Sequence, residues 1–322
     1  MLKNPIPQVT NQLQYRAIGI INGKFTPHDS EQLNKGFITD NKGDKIETVI
    51  LRYERRTSLC VSSQVGCKLA CTFCQTGKLG FFKNLKAHEI IQQVVTANEI
   101  LKKEQRSITH IVFMGMGEPL DNYEEVTKAC KILTDKQCYG ISKRRITIST
   151  SGIVPGIEKL AKLNIAQLAI SLHAPENELR KKLMPINQRY PLEKLKKALL
   201  EYQQKTGQII TIEYLLIKDE NTSKPIAKSL VKYLHGLRAK INLIPFNPHP
   251  GLNFSKPTNE QMLEFQKHLS TRGYPAPIRY SKGQDVSAAC GQLAAKNKDN
   301  LNSIPIRKDV LKKVTQVKEK IA

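Results

Sequence analysis

The chain has 322 residues, 40% hydrophobic and 25% charged, which suits one large globular α/β domain with small additions. Its 51 lysines and arginines against 28 acids leave a net charge of +23, pointing to a polyanionic partner, nucleic acid being the commonest. No apolar run approaches the roughly 18 residues of a membrane span, and Met1 to Thr10 lacks the basic stretch and apolar core of a secretory signal. The expected location is therefore the cytoplasm.

Residues 1–45 read as a small strand-rich extension, with strands over 15–21 and 36–39 and a turn at Asn22-Gly23. Residues 47–62 read as a hairpin that turns at Glu54-Arg55-Arg56. Helical patterns and apolar runs then alternate. Helices are expected over 87–104, 123–134, 154–163, 192–205, 223–236 and 258–271, and strands over 109–114, 145–149, 166–171, 209–216, 240–245 and 276–280. Short loops between such elements imply right-handed βαβ units on a parallel sheet, six of them with a trailing strand. A doubly wound sheet and a partial barrel both satisfy the alternation. The polar motifs fall at the carboxyl ends of strands, which favours a partial (β/α)6 barrel over 46–293. Residues 294–322 form a basic tail, in which Arg307-Lys308 and Lys312-Lys313 flank a short amphipathic pattern.

The seven cysteines are Cys60, Cys67, Cys71, Cys74, Cys130, Cys138 and Cys290. An odd number in a cytosolic chain argues against a disulfide scaffold. Cys67, Cys71 and Cys74 stand at C-x3-C-x2-C. Thiolates ligate zinc and iron–sulfur clusters, and a closed site normally takes four. Three thiolates would leave one iron of a four-iron cluster open to a substrate or cofactor. Zinc with a distant ligand, His88 being nearest, and three unliganded thiols are the alternatives. Cys130 falls in a helical pattern as a small core residue, and Cys138 is incidental. Cys60 and Cys290 are either inert core thiols or reactive ones, Cys290 standing among small residues that suit an exposed loop.

Four strand ends are polar. Gly115-Met116-Gly117-Glu118-Pro119-Leu120 allows close backbone approach to a ligand and offers a carboxylate beside it. Ser149-Thr150-Ser151-Gly152, Ser171-Leu172-His173 and Asn247 end three further strands. A lone histidine is more often a satisfied structural residue. Four polar ends around one mouth suit a ligand carrying a carboxylate, a ribose and an adenine.

Together, Cys60-Val61-Ser62-Ser63-Gln64-Val65-Gly66-Cys67, the three-cysteine loop, the Gly-Met-Gly-Glu-Pro-Leu, Ser-Thr-Ser-Gly and Ser-Leu-His-Ala-Pro segments, Met184-Pro185-Ile186-Asn187 and Ala-Ala-Cys290-Gly-Gln-Leu resemble the RlmN/Cfr family. That family comprises radical S-adenosylmethionine (SAM) RNA adenine methyltransferases, and the likeness spans residues 45–293. It implies a [4Fe-4S] cluster on Cys67, Cys71 and Cys74, with SAM on the open iron and in contact with Gly117, Glu118, Ser149, Ser171, Leu172, His173 and Asn247. It further implies that Cys290 carries a methyl group as the intermediate and that Cys60 resolves the adduct, leaving a disulfide with Cys290. Glu47 aligns with the proposed proton acceptor.

Ordinary polar transfer cannot methylate an adenine ring carbon, so a cofactor must supply radical chemistry. The expected partners are rRNA or tRNA and a one-electron donor such as flavodoxin, with the enzyme acting as a monomer off the membrane. Members of the family usually carry a longer N-terminal helical domain, where about 45 strand-like residues stand here. Pro119 favours the adenine C2 branch over the C8 branch. Lys78, Lys83, Lys143, Arg144 and Arg145 are candidate phosphate contacts. The competing readings are a radical SAM enzyme of C8 or other specificity and a non-catalytic basic RNA-binding protein with a metal site.

Overall fold

The computed structural model describes residues 28–30, 33–39, 45–248 and 252–280. The expected strand at 15–21, Cys290 and the basic tail lie outside them. Strands β1 (His28–Ser30), β2 (Leu33–Thr39) and β3 (Lys45–Arg52) form an antiparallel ribbon, and β3 pairs antiparallel with β4 (Thr57–Cys60). A small hairpin of β5 (Gln64–Gly66) and β6 (Phe81–Asn84) follows, with the one-turn helix α1 (Gln75–Lys78) between its strands. Next come α2 (Ala87–Lys102), β7 (His110–Phe113), α3 (Tyr123–Thr134), β8 (Ile146–Thr150), α4 (Val154–Leu163) and β9 (Gln167–Ser171). The described chain continues with α5 (Asn177–Leu183), α6 (Leu192–Thr206), β10 (Ile210–Leu216), α7 (Lys224–Leu234), β11 (Ala239–Pro245) and α8 (Asn259–Ser270).

The main sheet runs β1-β2-β3-β4-β7-β8-β9-β10-β11 and is parallel from β4 onward. Strand order along the sheet thus repeats strand order along the chain. A doubly wound sheet must reverse its order once, which sends helices to both faces. A sheet that never reverses, linked by right-handed crossovers, keeps its helices on one face and curls around the other. The six parallel strands therefore make the partial barrel, and the doubly wound alternative falls.

Period-2 alternation divides each strand between two environments. Ile146, Ile148, Leu168, Ile170, Ile212, Tyr214, Ile241 and Leu243 join the core beneath the helices, where Cys130 also lies. Burying a branched or aromatic side chain of this size contributes about 1.5–3 kcal/mol. Tyr214 stacks on Phe265 of α8 with ring centroids 5.4 Å apart, and its hydroxyl donates to Asn221 O at 3.0 Å. The alternate residues Ser149, Ser171, Glu213 and Asn242 share the opposite, concave face, and Ser171, Glu213 and Asn242 are successive cross-strand partners. A second apolar cluster, including Leu183, Met184, Ile186, Leu215 and Phe246, sits at the carboxyl ends and receives Leu69 and Phe73 of the cysteine loop.

The expected last strand is reduced to one bridge, Leu243 with Ile278. Ile241 and Leu243 donate to the carbonyls of Pro275 and Pro277 at 2.8 and 3.1 Å. Those prolines have no N–H to give to a ladder on their other side. The sequence reading also omitted α5 and the β5–β6 hairpin.

Candidate active site

The cysteine loop is held open by backbone geometry. Gly66 has φ +75°, and a Cβ there would stand 1.9 Å from Gly80 O, the carbonyl that accepts from Cys67 N at 2.8 Å. Only glycine fits that turn. Cys74 N donates to Cys71 O at 3.1 Å, and Thr72 N donates to Leu183 O at 3.0 Å, tying the loop to the end of α5. Burial pushes the Cys67 thiol up to about 12 and the Cys71 thiol well above its ordinary value. Neighbouring Cys74 and Glu118 add to both rises, and Cys67 to that of Cys71.

A single ion needs its sulfurs gathered about 2.3 Å from one point. Among the described residues no three His, Cys, Asp or Glu side chains are so gathered. The three thiols are nevertheless near enough to feel one another's charge. This donor set fits a cluster in which each thiolate takes its own iron.

Beside it, the Glu118 carboxylate accepts from Leu120 N at 3.0 Å on Oε1 and from Ser151 N and Oγ at 2.8 Å on Oε2. Burial raises its pKa against those hydrogen bonds. The Thr150 side chain also hydrogen-bonds it, so a ligand ammonium group would meet a carboxylate already oriented by the chain. Gly117, at φ +96°, would bring a Cβ to 2.5 Å from Gln64 Cβ. Gln64 itself accepts from Glu118 N and donates to Asn84 Oδ1 and Asp121 Oδ2, all at 2.8 Å. The residue just ahead of the cysteines thereby fixes the carboxylate loop. Sequence reasoning had given it no role, although it stands inside the quoted Cys60–Cys67 segment.

After β9 the backbone turns through His173, at φ 59° and buried. Its Nδ1 accepts from Leu215 N at 3.0 Å, so the proton sits on Nε2. Burial, with Arg180 nearby, lowers its pKa to about 3 and keeps the ring neutral. The ring meets Phe73 of the cysteine loop edge-on, with centroids 4.8 Å apart. Leu172 is fully buried, its N donating to Glu213 O at 3.0 Å. Ser149 and Asn247 are buried at the ends of β8 and β11. Residues scattered over 180 positions thus meet at one mouth.

On the β3–β4 pair, Val49 lies opposite Cys60. Glu47, two residues away, shares that face as a diagonal neighbour of Cys60, with Cβ atoms in such pairs somewhat less than about 7–8 Å apart. Both are buried. Gln93, another residue not anticipated, locks this corner: its Oε1 accepts from Thr48 Oγ1 and Ser62 N at 2.6 and 2.8 Å, and its Nε2 donates to Ser62 O at 2.9 Å.

The basic candidates divide. Lys78 ends α1 beside the cysteines, and Lys83 pairs with Glu89 at 2.8 Å. Lys143, Arg144 and Arg145 form a 3₁₀ turn leading into β8, at the amino end of the barrel strands and away from the mouth. As candidate phosphate contacts they therefore sit on the floor of the barrel, where a helix-to-strand loop of a βα repeat falls.

Residues 61–227 match the family model of the radical SAM superfamily. Three similar proteins are each named dual-specificity RNA methyltransferase RlmN. The one from Syntrophobacter fumaroxidans is 49% identical over 253 residues, covering 79% of this chain and 74% of that protein. Those from Pseudomonas putida and Nitratiruptor are 47% and 49% identical over 80% of this chain, covering 69% and 71% of theirs. A radical SAM methyltransferase structure from Sphaerobacter thermophilus superposes with a TM-score of 0.82 at 44% identity, covering 84% of this chain and 82% of that one.

Proposed function

Because the chain belongs to the radical SAM superfamily and, within it, to the RlmN family of RNA methyltransferases, we propose that it methylates C2 of an adenine in rRNA or tRNA. The observation that carries this reading is the meeting of the three-cysteine loop, the Gly117-Glu118 turn and the Ser171-Leu172-His173 loop at the carboxyl mouth of six parallel strands. Pro119 supports C2 over C8. Residues 46–293 are the catalytic barrel, flanked by the extension and the basic tail.

When bound, a four-iron cluster and SAM supply one-electron chemistry that can functionalise an unactivated ring carbon. Cys67, Cys71 and Cys74 hold the cluster. Glu118 and Gly117 receive the amino group of SAM, while Ser149, Ser171, Leu172, His173 and Asn247 hold its remainder. Neutral His173 offers an Nε2 proton and adds no charge to the mouth. Cys290 carries the methyl carbon to the base, Cys60 resolves the adduct and Glu47 takes up a proton. The shared face of Glu47 and Cys60 supports those paired roles. The electron arrives from a small donor such as flavodoxin, and the enzyme works as a cytoplasmic monomer. No helix among the described residues is long and apolar enough to cross a membrane.

The test is to map the modification in RNA from a strain lacking the gene and from the complemented strain. The expected result is 2-methyladenine that returns on complementation, with mass spectrometry finding a methyl or methylene group on Cys290. A methyl at C8, or an unmodified Cys290 after anaerobic incubation with SAM, would overturn the assignment.

A further inference from the structure

Arg180, on α5, is fully buried, and the guanidinium reaches four acceptors. Its Nε donates to Leu172 O at 3.2 Å, Nη1 to Asn187 Oδ1 at 2.9 Å, and Nη2 to Ser151 O and Ser171 O at 2.6 and 3.3 Å. All four are neutral, and among the described residues no carboxylate pairs with it. A buried cation without a counter-charge costs several kcal/mol, so its partner should be sought in what the site binds. Burial lowers the guanidinium's pKa to about 10, which leaves it charged at neutral pH, and the Cys71 thiol is among the groups that hold it up. Three thiolates at the loop would supply the negative charge that no carboxylate among the described residues pairs with the guanidinium to give.

The contacts also form a connected set. Ser151, whose carbonyl Arg180 grips, is the residue that clamps Glu118 through its N and Oγ. Leu172 and Ser171 belong to the loop that carries His173. Leu183, one turn further along α5, accepts from Thr72 between the cysteines. Four acceptors in three directions match the planar fork of arginine and exceed what a lysine ammonium can reach.

We propose that Arg180 is a positioning residue that ties the Glu118, His173 and cysteine loops together and supplies the buried positive charge facing the cluster thiolates. The proposal rests on the cofactor reading above. It also gives a task to the segment around Met184-Pro185-Ile186-Asn187, whose asparagine holds the guanidinium and whose apolar side chains bed the cysteine loop.

The experiment uses the full chain reconstituted anaerobically with iron and sulfide, comparing parent, Arg180→Lys and Arg180→Met. Circular dichroism and iron and sulfide content establish folding and loading. EPR-monitored reductive titration gives the cluster potential, and equilibrium dialysis gives the SAM dissociation constant. Net charge around a cluster sets its potential. Arg180→Met should therefore shift it to more negative values, while Arg180→Lys, which keeps the charge, leaves it near the parent. Both should bind SAM at least tenfold more weakly because the fork is lost. Parent values of potential and SAM affinity in a loaded Arg180→Met overturn the proposal, as does parent SAM affinity in Arg180→Lys. Should neither variant load, Asn187→Ala removes one acceptor and keeps the charge. It should weaken SAM binding severalfold at unchanged potential, and parent affinity there overturns the proposal. A parent chain that takes up neither cluster nor SAM sinks the cofactor reading instead, a result distinguishable from indifferent variants.

Discussion

Glu118 accepts from Leu120 and Ser151 before any ligand arrives, so its charge and its geometry are fixed together. Glu118→Gln turns an amide N–H toward one of those donors and removes the charge. At about 1–3 kcal/mol for an unmet buried donor, SAM affinity should fall roughly 10- to 100-fold, measurable by equilibrium dialysis, and an unchanged affinity would contradict the assigned contact. Glu213, on the concave face, is pushed up to about 6 by burial, against a hydrogen bond from Asn242 and the charges of Arg279 and Lys240. An unfolded glutamate titrates near 4.3. Between those values the folded chain keeps a proton that the unfolded chain has lost. The stability Glu213 contributes below about pH 4.3 is therefore lost as pH rises through 6, by about 2 kcal/mol. Urea denaturation should find Glu213→Gln more stable than the parent above pH 6.5 and level with it near pH 4; a difference independent of pH would refute this. At this scale the sequence already displayed the residues whose chemistry is intrinsic, such as the three cysteines, Glu118 and His173. Arg180, Gln64 and Gln93 were illegible because their partners are mostly backbone groups of remote segments, which only the fold brings into reach.

Helices with a full apolar stripe, such as α2, α3, α4 and α6, stood out because several turns repeat one pattern, and their bounds fell within two residues of expectation. The short α5 has Arg180 and Leu183 as its buried residues, too few to show a period. Strands β5 and β6 are held by the Gly66 turn and a shifted register more than by alternation. Gly66→Ala would force the cysteine loop off Gly80 O, since neither the positive φ nor the 1.9 Å approach tolerates a Cβ. Reconstituted iron content should drop by more than half while far-ultraviolet circular dichroism stays near that of the parent; full iron loading would contradict the account. Thr258 caps α8, accepting from Gln261 N at 3.3 Å while Gln261 Oε1 accepts from Thr258 N at 2.9 Å. Thr258→Ala should cost about 1 kcal/mol in denaturation; a stability equal to that of the parent would contradict the cap.

Across the whole molecule, a charge of +23 makes phosphate neutralisation the dominant contribution to RNA binding. A protein making 6–10 phosphate contacts loses about 10³-fold or more in affinity between about 50 and 200 mM salt, and filter binding should find that steepness here. A flat salt response would place recognition elsewhere. The barrel itself was legible as alternation, but its curl became certain only from the unreversed strand order. That order has a consequence for which RNA is modified. A closed eight-stranded barrel has an interior that its own side chains just fill; six strands leave an open bowl whose mouth carries the site. Such a bowl admits the edge of a ring only after the base has left its stack, at a cost of a few kcal/mol borne by the RNA. Adenines that already sit loosely in a loop or bend are then the ones modified fastest, so the selection among thousands of chemically identical bases is written in the mechanics of the RNA.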